Sequence, residues 1–329
     1  MKLSDFDYSL PKELIAQFPL QERDSARLFV FNRKDNAISH RVFRDIIGYI
    51  NAGDLFILND TKVLPCRLMG NRATGGRVEI LLLGQNSGLS FDALIKPARV
   101  RAGERIVFPG SRITAQIISR NQVVFDAADK REVYSLGQMP IPPYIKREPA
   151  EIDTDFYQTI YARNEGAVAS PTAGLHFTQE LLDKIKAAGV EIAYVTLHVG
   201  QATFKPVKSE DITAHKMETE EFTIPQETIK LIRQTHQRKG RVFAVGTTSL
   251  RAIESYALGK NGGKTDLFIY PGYKFALADC LLTNFHLPRT TLFMLVSAFM
   301  GEVWAKKAYQ QAIEHKYRFY SYGDAMLII

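Results

Sequence analysis

Three histidines of this chain each sit among glycines and small hydroxyl or amide residues: His176 in SPTAGLHF (170–177), His198 in TLHVGQATFKPV (196–207) and His286 in TNFHLP (283–288). Imidazole is the side chain best suited to moving protons near neutral pH. Neighbouring residues extend the pattern, with Thr172 and Gly174 in the first segment, Gly200 in the second and Asn284 in the third. Glycine lets a backbone approach a ligand closely, and an amide can orient one. Any one such histidine is equally well explained as a hydrogen-bonded core residue. Three in similar settings point to a single site for proton transfer.

Two further clusters could complete such a site. The stretch GTTS (Gly246, Thr247, Thr248, Ser249) follows an apolar run and opens a helical pattern, which places free backbone N–H groups and three hydroxyls at a helix start. That is an anion-binding arrangement, or simple N-capping. Arg251 and Glu254 lie in the first turns of the same helix, where Arg251 could clamp a carboxylate or phosphate. In LNDTKVLPCRL (58–68), Asn59, Asp60, Thr61 and Lys62 follow another apolar run. Open α/β sheets place ligand contacts at such strand ends, although a plain turn has the same composition. The stretch YRFYSYGDAMLII (317–329) mixes Arg318 with four aromatics that could stack bases or pack a core. GKNGGKT (259–265) fails as a phosphate loop because its first glycine is one residue too close and it leads from helix to strand.

Positioning these residues requires two kinds of architecture. Between 66 and 145, short apolar runs separated by turns (RVEILLLG, SFDALIKP, ERIVFPG, RITAQIIS, QVVFDA) predict a small antiparallel barrel or sandwich. MPIPPYI (139–145) closes that segment as an extended connector. On either side, strands alternate with amphipathic helices. RLFVFN, LFILN, EIAYVTLHV, RVFAV, LFIY and CLLTNF read as strands; VFRDIIGYI, TTLFMLVSAFM and VWAKKAYQQAIEHK read as helices. Another helix starts at a Thr178 cap, presents Leu181, Leu182 and Ile185 on one face and stops at Gly189. The expected fold is α/β: a discontinuous layered domain (1–65 plus 146–329) into which a β-barrel domain (66–145) is inserted.

Composition narrows the function class. The 329 residues are 46% hydrophobic and 23% charged, ordinary for a globular chain that buries its own core. Cys66 and Cys280 have no ligand-like spacing, so neither a disulfide framework nor a zinc site is indicated, and a reducing cytoplasm is expected. The N-terminal segment is not a secretory signal. The longest apolar stretch, 292–300, falls far short of the roughly 20 residues that span a bilayer, so no membrane partner is expected. Net charge is +7, and the segment 66–145 alone carries 11 Lys or Arg against 6 Asp or Glu. Such focusing suits a polyanion, with Lys96, Arg99, Arg101 and Arg105 as backbone contacts; a solvated basic surface is the alternative.

Taken in order, SPTAGLHF, TLHVG with TFKPV, VGTTSLR, TNFHLP, LVSAF and YRFYSYGDAM, with LNDTKVLP, TGGRVE, MPIPPYI and YQTIYA, resemble the S-adenosylmethionine:tRNA ribosyltransferase-isomerases of queuosine biosynthesis. The resemblance spans nearly the whole chain. It implies transfer and isomerisation of the ribosyl part of S-adenosylmethionine onto 7-aminomethyl-7-deazaguanine at the tRNA wobble position. Epoxyqueuosine forms, and adenine and methionine leave. The implied partners are that tRNA and S-adenosylmethionine as co-substrate, acting on a cytoplasmic monomer with no permanently bound cofactor and no required metal. On this basis His176, His198 and His286 are expected to share the acid and base work. Asn284 would orient substrate, GTTS with Arg251 would hold an anionic group, and Asp60 or Glu220 would compensate positive charge. The chain departs from the family pattern at Ser170, where a small apolar residue is usual, at Ala202, where glycine is usual, and at Glu218, where histidine is usual. An RNA methyltransferase using the same co-substrate and a noncatalytic RNA-binding module are the alternatives.

Overall fold

The computed structural model describes residues 1–200, 207 and 209–329; Ala202 and most of the TFKPV stretch lie outside the described residues. Its centre is a nine-stranded sheet. Across it the strands run Gly263–Thr265, Glu220–Thr223, Glu191–Leu197, Leu55–Asn59, Val242–Val245, Cys280–Asn284, Ala325–Ile328, Arg27–Asn32 and Ala37–Val42. The four from Glu191–Leu197 to Cys280–Asn284 are mutually parallel, and Ala325–Ile328 then pairs antiparallel with Cys280–Asn284. The C-terminal ends of four parallel strands therefore open on one edge, beside the N-terminal end of a reversed one.

Alternation along each strand divides the core between the two faces of the sheet. Leu55 and Ile57 face one side, with Leu250, Ile253, Phe293, Val296 and Tyr309 from the helices Gly246–Ala257, Thr291–Met300 and Glu302–Glu314. Phe56 and Leu58 face the other, with Phe43, Ile46, Leu181 and Ile185. This three-layer packing is the usual way a mostly parallel sheet buries both faces. The helix Gln179–Ala187 follows its expected cap, the Thr178 hydroxyl accepting from the Leu181 amide at 3.1 Å, and ends before Gly189.

After leaving the sheet at Asn59 the chain builds a closed six-stranded antiparallel barrel before re-entering at Glu191. The barrel strands are Arg67–Arg72, Arg77–Gln85, Ser90–Lys96, Arg105–Val107, Thr114–Ser119 and Gln122–Asp126, closed by pairing of the first with the fourth in sequence. Leu68, Ile80, Phe91, Ile106, Ile117, Val123 and Phe125 fill its interior. Closure removes the exposed sheet edges that an open sheet of this size would present. The fold is thus α/β with an inserted antiparallel barrel.

Two local expectations are corrected. VFRDIIGYI is not an α-helix: Val42 ends an edge strand, and Phe43–Tyr49 forms a 3-10 helix opened by Asp45 accepting from the Val42 amide at 3.1 Å. Two consecutive isoleucines before Gly48 disfavour a longer α-helix. LFIY is not a strand; the strand there is Gly263–Thr265. The Leu267 carbonyl accepts from Arg251 Nε at 3.0 Å, and Leu267, Phe268, Ile269 and Tyr270 cover the helical layer instead of pairing with a neighbour. Among the described residues no helix is long and apolar enough to cross a membrane.

Candidate active site

The common edge of the parallel strands holds a cavity of about 540 Å³ including its open mouth. Of the residues singled out from the sequence, Thr172, Gly246, Thr247, Thr248, Asn284 and His286 line it. Each arrives from a strand end or the segment just beyond it. Val242–Val245 passes directly into the helix Gly246–Ala257, with Gly246 at φ +88°, a backbone setting that side chains other than glycine's rarely adopt. GTTS is therefore the first turn of the helix. Only part of it faces the cavity, since the Ser249 hydroxyl donates back to the Val245 carbonyl at 2.7 Å.

His286 is held from several sides. Its Nε2 lies 2.8 Å from the Thr283 hydroxyl, its amide donates to the Tyr309 hydroxyl at 3.2 Å, and its carbonyl accepts from the Tyr8 hydroxyl. Burial pushes the imidazole down to about pKa 3, so the ring is neutral across the physiological range. A neutral, oriented imidazole facing a cavity has a lone pair to offer, although the same burial makes it a weaker base than free imidazole.

His176 sits behind this cavity, not in it. Asn284 is the link: its Oδ1 accepts from the Thr172 hydroxyl at 2.9 Å, and its Nδ2 faces His176 Nε2 at 3.1 Å. The ring lies against Phe43, centroids 4.9 Å apart, and burial lowers its pKa to about 4. The His176 side chain borders a smaller cleft with Arg23, Leu175, Ser321 and Tyr322. Gly174, in the same turn, answers to packing: a Cβ there would stand 2.1 Å from the Tyr161 hydroxyl.

His198 faces a different space. A groove of about 1400 Å³ runs between the sheet edge and the barrel, lined by His198, Gly200, Glu220 and Glu221 on one side and by Cys66, Asp92, Lys130 and Tyr134 on the other. The His198 Nδ1 lies 2.8 Å from the Thr61 hydroxyl, and partial burial lowers its pKa. Val199 lines both groove and cavity, so the two are adjacent.

Three expected ligand contacts are committed elsewhere. Arg251 is 4% exposed and ion-paired with Glu220, which is equally buried and also accepts from the Gly200 amide at 3.2 Å. Arg251 is not among the residues that line the cavity; its Nε and one terminal nitrogen are held by the Leu267 carbonyl and Glu220. Asp60 accepts from Arg163 Nε at 2.6 Å, Asn164 Nδ2 at 3.0 Å and the Thr196 hydroxyl at 2.6 Å. Its carboxylate ties the 59–61 turn to its neighbours and is not offered to a ligand. Lys96, Arg99, Arg101 and Arg105 are all exposed on the barrel, with Lys96 3.2 Å from Glu79.

Several lining residues carry no clear chemical signal in the sequence: Tyr144, Tyr157, Ser170, Thr283, Leu292, Tyr320 and Ser321. Ser170 stood out only as a family departure, and Tyr320 only as one of four C-terminal aromatics. Asn59 braces this edge of the sheet. Its amide bridges the Leu197 carbonyl at 2.9 Å and the Thr248 hydroxyl at 3.1 Å, fastening three strand ends together.

A layered α/β fold whose parallel strands end together on a cavity with a neutral histidine, an oriented amide and several hydroxyls defines an enzyme of the open-sheet class. Residues 3–328 match the family described as queuosine biosynthesis protein. The chain is 52% identical to the S-adenosylmethionine:tRNA ribosyltransferase-isomerase of Sulfurihydrogenibium sp. (strain YO3AOP1) and 47% identical to that of Thermotoga maritima, covering all of both chains in each case. It also resembles the crystal structure of S-adenosylmethionine tRNA ribosyltransferase from Thermotoga maritima, with a TM-score of 0.59 and 38% identity over 99% of this chain and all of that one. The chain belongs to the queuosine biosynthesis protein family.

Proposed function

We propose that the chain transfers and isomerises the ribosyl part of S-adenosylmethionine onto 7-aminomethyl-7-deazaguanine at the wobble position of cytoplasmic tRNA, forming epoxyqueuosine and releasing adenine and methionine. The full-length similarity to relatives of that name supports the reading, and the observation that carries it to particular residues is the neutral His286 beside an oriented Asn284 in the strand-end cavity.

The reaction needs a base for the ribose 5′ carbon, whose proton is acidified by the neighbouring sulfonium, and an acid for departing adenine. His286 takes the first role, because burial keeps it unprotonated and Thr283 fixes its ring. His198, at the junction with the groove, shares the acid and base work. His176 acts through Asn284, holding the amide against Thr172 so that it presents one face to the substrate. Thr247 and Thr248 supply hydroxyls at the helix start, where an anionic group of the substrate is favoured. The barrel unit, taken as residues 66–145 against 1–65 plus 146–329, grips the tRNA backbone with Lys96, Arg99, Arg101 and Arg105. The modified base then enters through the groove beside His198.

The test is a mass-spectrometric product assay with S-adenosylmethionine and tRNA bearing 7-aminomethyl-7-deazaguanine. Adenine and methionine released in step with epoxyqueuosine are expected. S-adenosylhomocysteine would mean methylation instead, and tight tRNA binding without products would mean a binding module.

A further inference from the structure

The strand-end cavity is lined by three tyrosines and, among the described residues, by no carboxylate, lysine or arginine. Tyr144 and Tyr320 stand at right angles, with ring centroids 3.8 Å apart and planes at 80°. Tyr144 is fixed through its hydroxyl to that of Ser321, and Tyr157 is wholly buried beside them. Tyr320 adopts φ +75°, a left-handed backbone setting that is uncommon for a bulky residue. Its amide donates to the Phe285 carbonyl at 3.0 Å, and its own carbonyl accepts from the Gly323 amide at 2.9 Å, so the surroundings impose that setting. Backbone strain of this kind persists where the structure over-determines it and gathers at ligand sites. The same cavity contains the Ser170 hydroxyl, 6% exposed at the residue level and without a hydrogen-bond partner. A buried hydroxyl left unpaired is itself a sign of a ligand.

A cavity without formal negative charge can still attract a cation through the faces of aromatic rings, which carry negative potential. We propose that Tyr320, with Tyr144 and Tyr157, forms an aromatic box that recognises the positive sulfonium of S-adenosylmethionine, so that charge selection rests on ring faces and not on an acidic counter-ion. This rests on the co-substrate assigned above and adds to it the element that distinguishes a sulfonium from the uncharged thioether. Burial raises the pKa of all three phenols, so the rings stay neutral and no phenolate competes for the role. Neutral walls have a chemical merit. A carboxylate against the sulfonium would offset the charge that acidifies the adjacent carbon, whereas ring faces hold the cation and leave its pull on that carbon largely intact.

The experiment measures dissociation constants of the full chain for S-adenosylmethionine and for S-adenosylhomocysteine by titration calorimetry. About tenfold preference for the sulfonium is expected. Tyr320→Phe retains that preference, and Tyr320→Leu brings the ratio close to one. If Tyr320→Leu does not fold, phenylalanines bearing one, two and three fluorines at position 320 replace it. Fluorination drains the ring face with little change of shape, and the ratio should fall stepwise along the series. Equal affinity of the unmodified chain for the two ligands, or a ratio unmoved by fluorination, would overturn the aromatic box while leaving the reaction intact. Failure of the reaction itself reads differently: neither ligand binds and the unmodified chain releases no adenine.

Discussion

The cavity at the strand ends and the groove beside the barrel share Val199 as a wall but are built from opposite materials. The cavity has tyrosines, threonines, an amide and a histidine pushed down to about pKa 3. The groove has Asp92, Lys130, Glu165, Glu220, Glu221 and Lys264 around a half-buried His198. In the first, His286 is itself buried, and burial alone keeps its ring neutral. In the second, the charges other than the buried Glu220 are exposed and screened, and carboxylates outnumber lysines, so the groove is acidic where the cavity is uncharged. The buried His286 and the half-buried His198 thus sit in different dielectric surroundings on either side of Val199.

The largest effect that would break this contrast comes from the buried pair between them. Arg251→Met leaves Glu220 as an uncompensated buried charge, which costs about 3–5 kcal/mol of stability; chemical denaturation should register that loss. A loss below 1 kcal/mol would mean that the pair is solvated like the rest of the groove. Next, His286→Ala should lower kcat for adenine release by about 100-fold or more, while His176→Gln, acting through Asn284, should show the smaller loss of the two. Equal full activity in both variants, and in His198→Ala, would remove the histidines from the chemistry.

A third test concerns protonation. Burial pushes the imidazoles of His176 and His286 down to about 4 and about 3 in the folded chain, against about 6.5 when unfolded. Between those values only the unfolded state takes up their protons. Their contribution to stability is therefore complete above pH 6.5 and declines as pH falls, by about 1.4 kcal/mol per pH unit for each ring. Thermal midpoints measured from pH 7.5 to 4.5 should fall less steeply in His176→Gln than in the unmodified chain. The smallest effect belongs to the barrel. Removing one of Lys96, Arg99, Arg101 or Arg105 should reduce the slope of log affinity against log salt for tRNA by about 1, and an unchanged slope in all four would move the tRNA path elsewhere.

What the sequence revealed of all this follows physical reach. Apolar runs with the right period announced the central strands Leu55–Asn59 and Val242–Val245 because both faces of those strands are buried. The half-exposed edge strand Ala37–Val42 carries no such signal, and LFIY carries a false one, since an apolar run covering helices looks like a strand. Likewise, His286, Asn284 and the threonines of GTTS could be found from their glycine and hydroxyl neighbours. The three cavity tyrosines could not, because residues 144, 157 and 320 meet only through tertiary packing. The pairing of Arg251 is hidden for a related reason: its partner Glu220 is 31 positions away in the chain, on the strand Glu220–Thr223.

The reversed strand Ala325–Ile328 lies between Cys280–Asn284 and Arg27–Asn32, and the Arg27 amide reaches the Asp324 carboxylate across 297 positions of sequence. Barrel hairpins, by contrast, join neighbours. Closing distant contacts is the slow part of folding, so the barrel can take shape while the wall bearing Tyr320 and Ser321 is still unformed. The barrel thus rests on contacts close in sequence, and the wall of the cavity on one of the longest-range contacts in the chain.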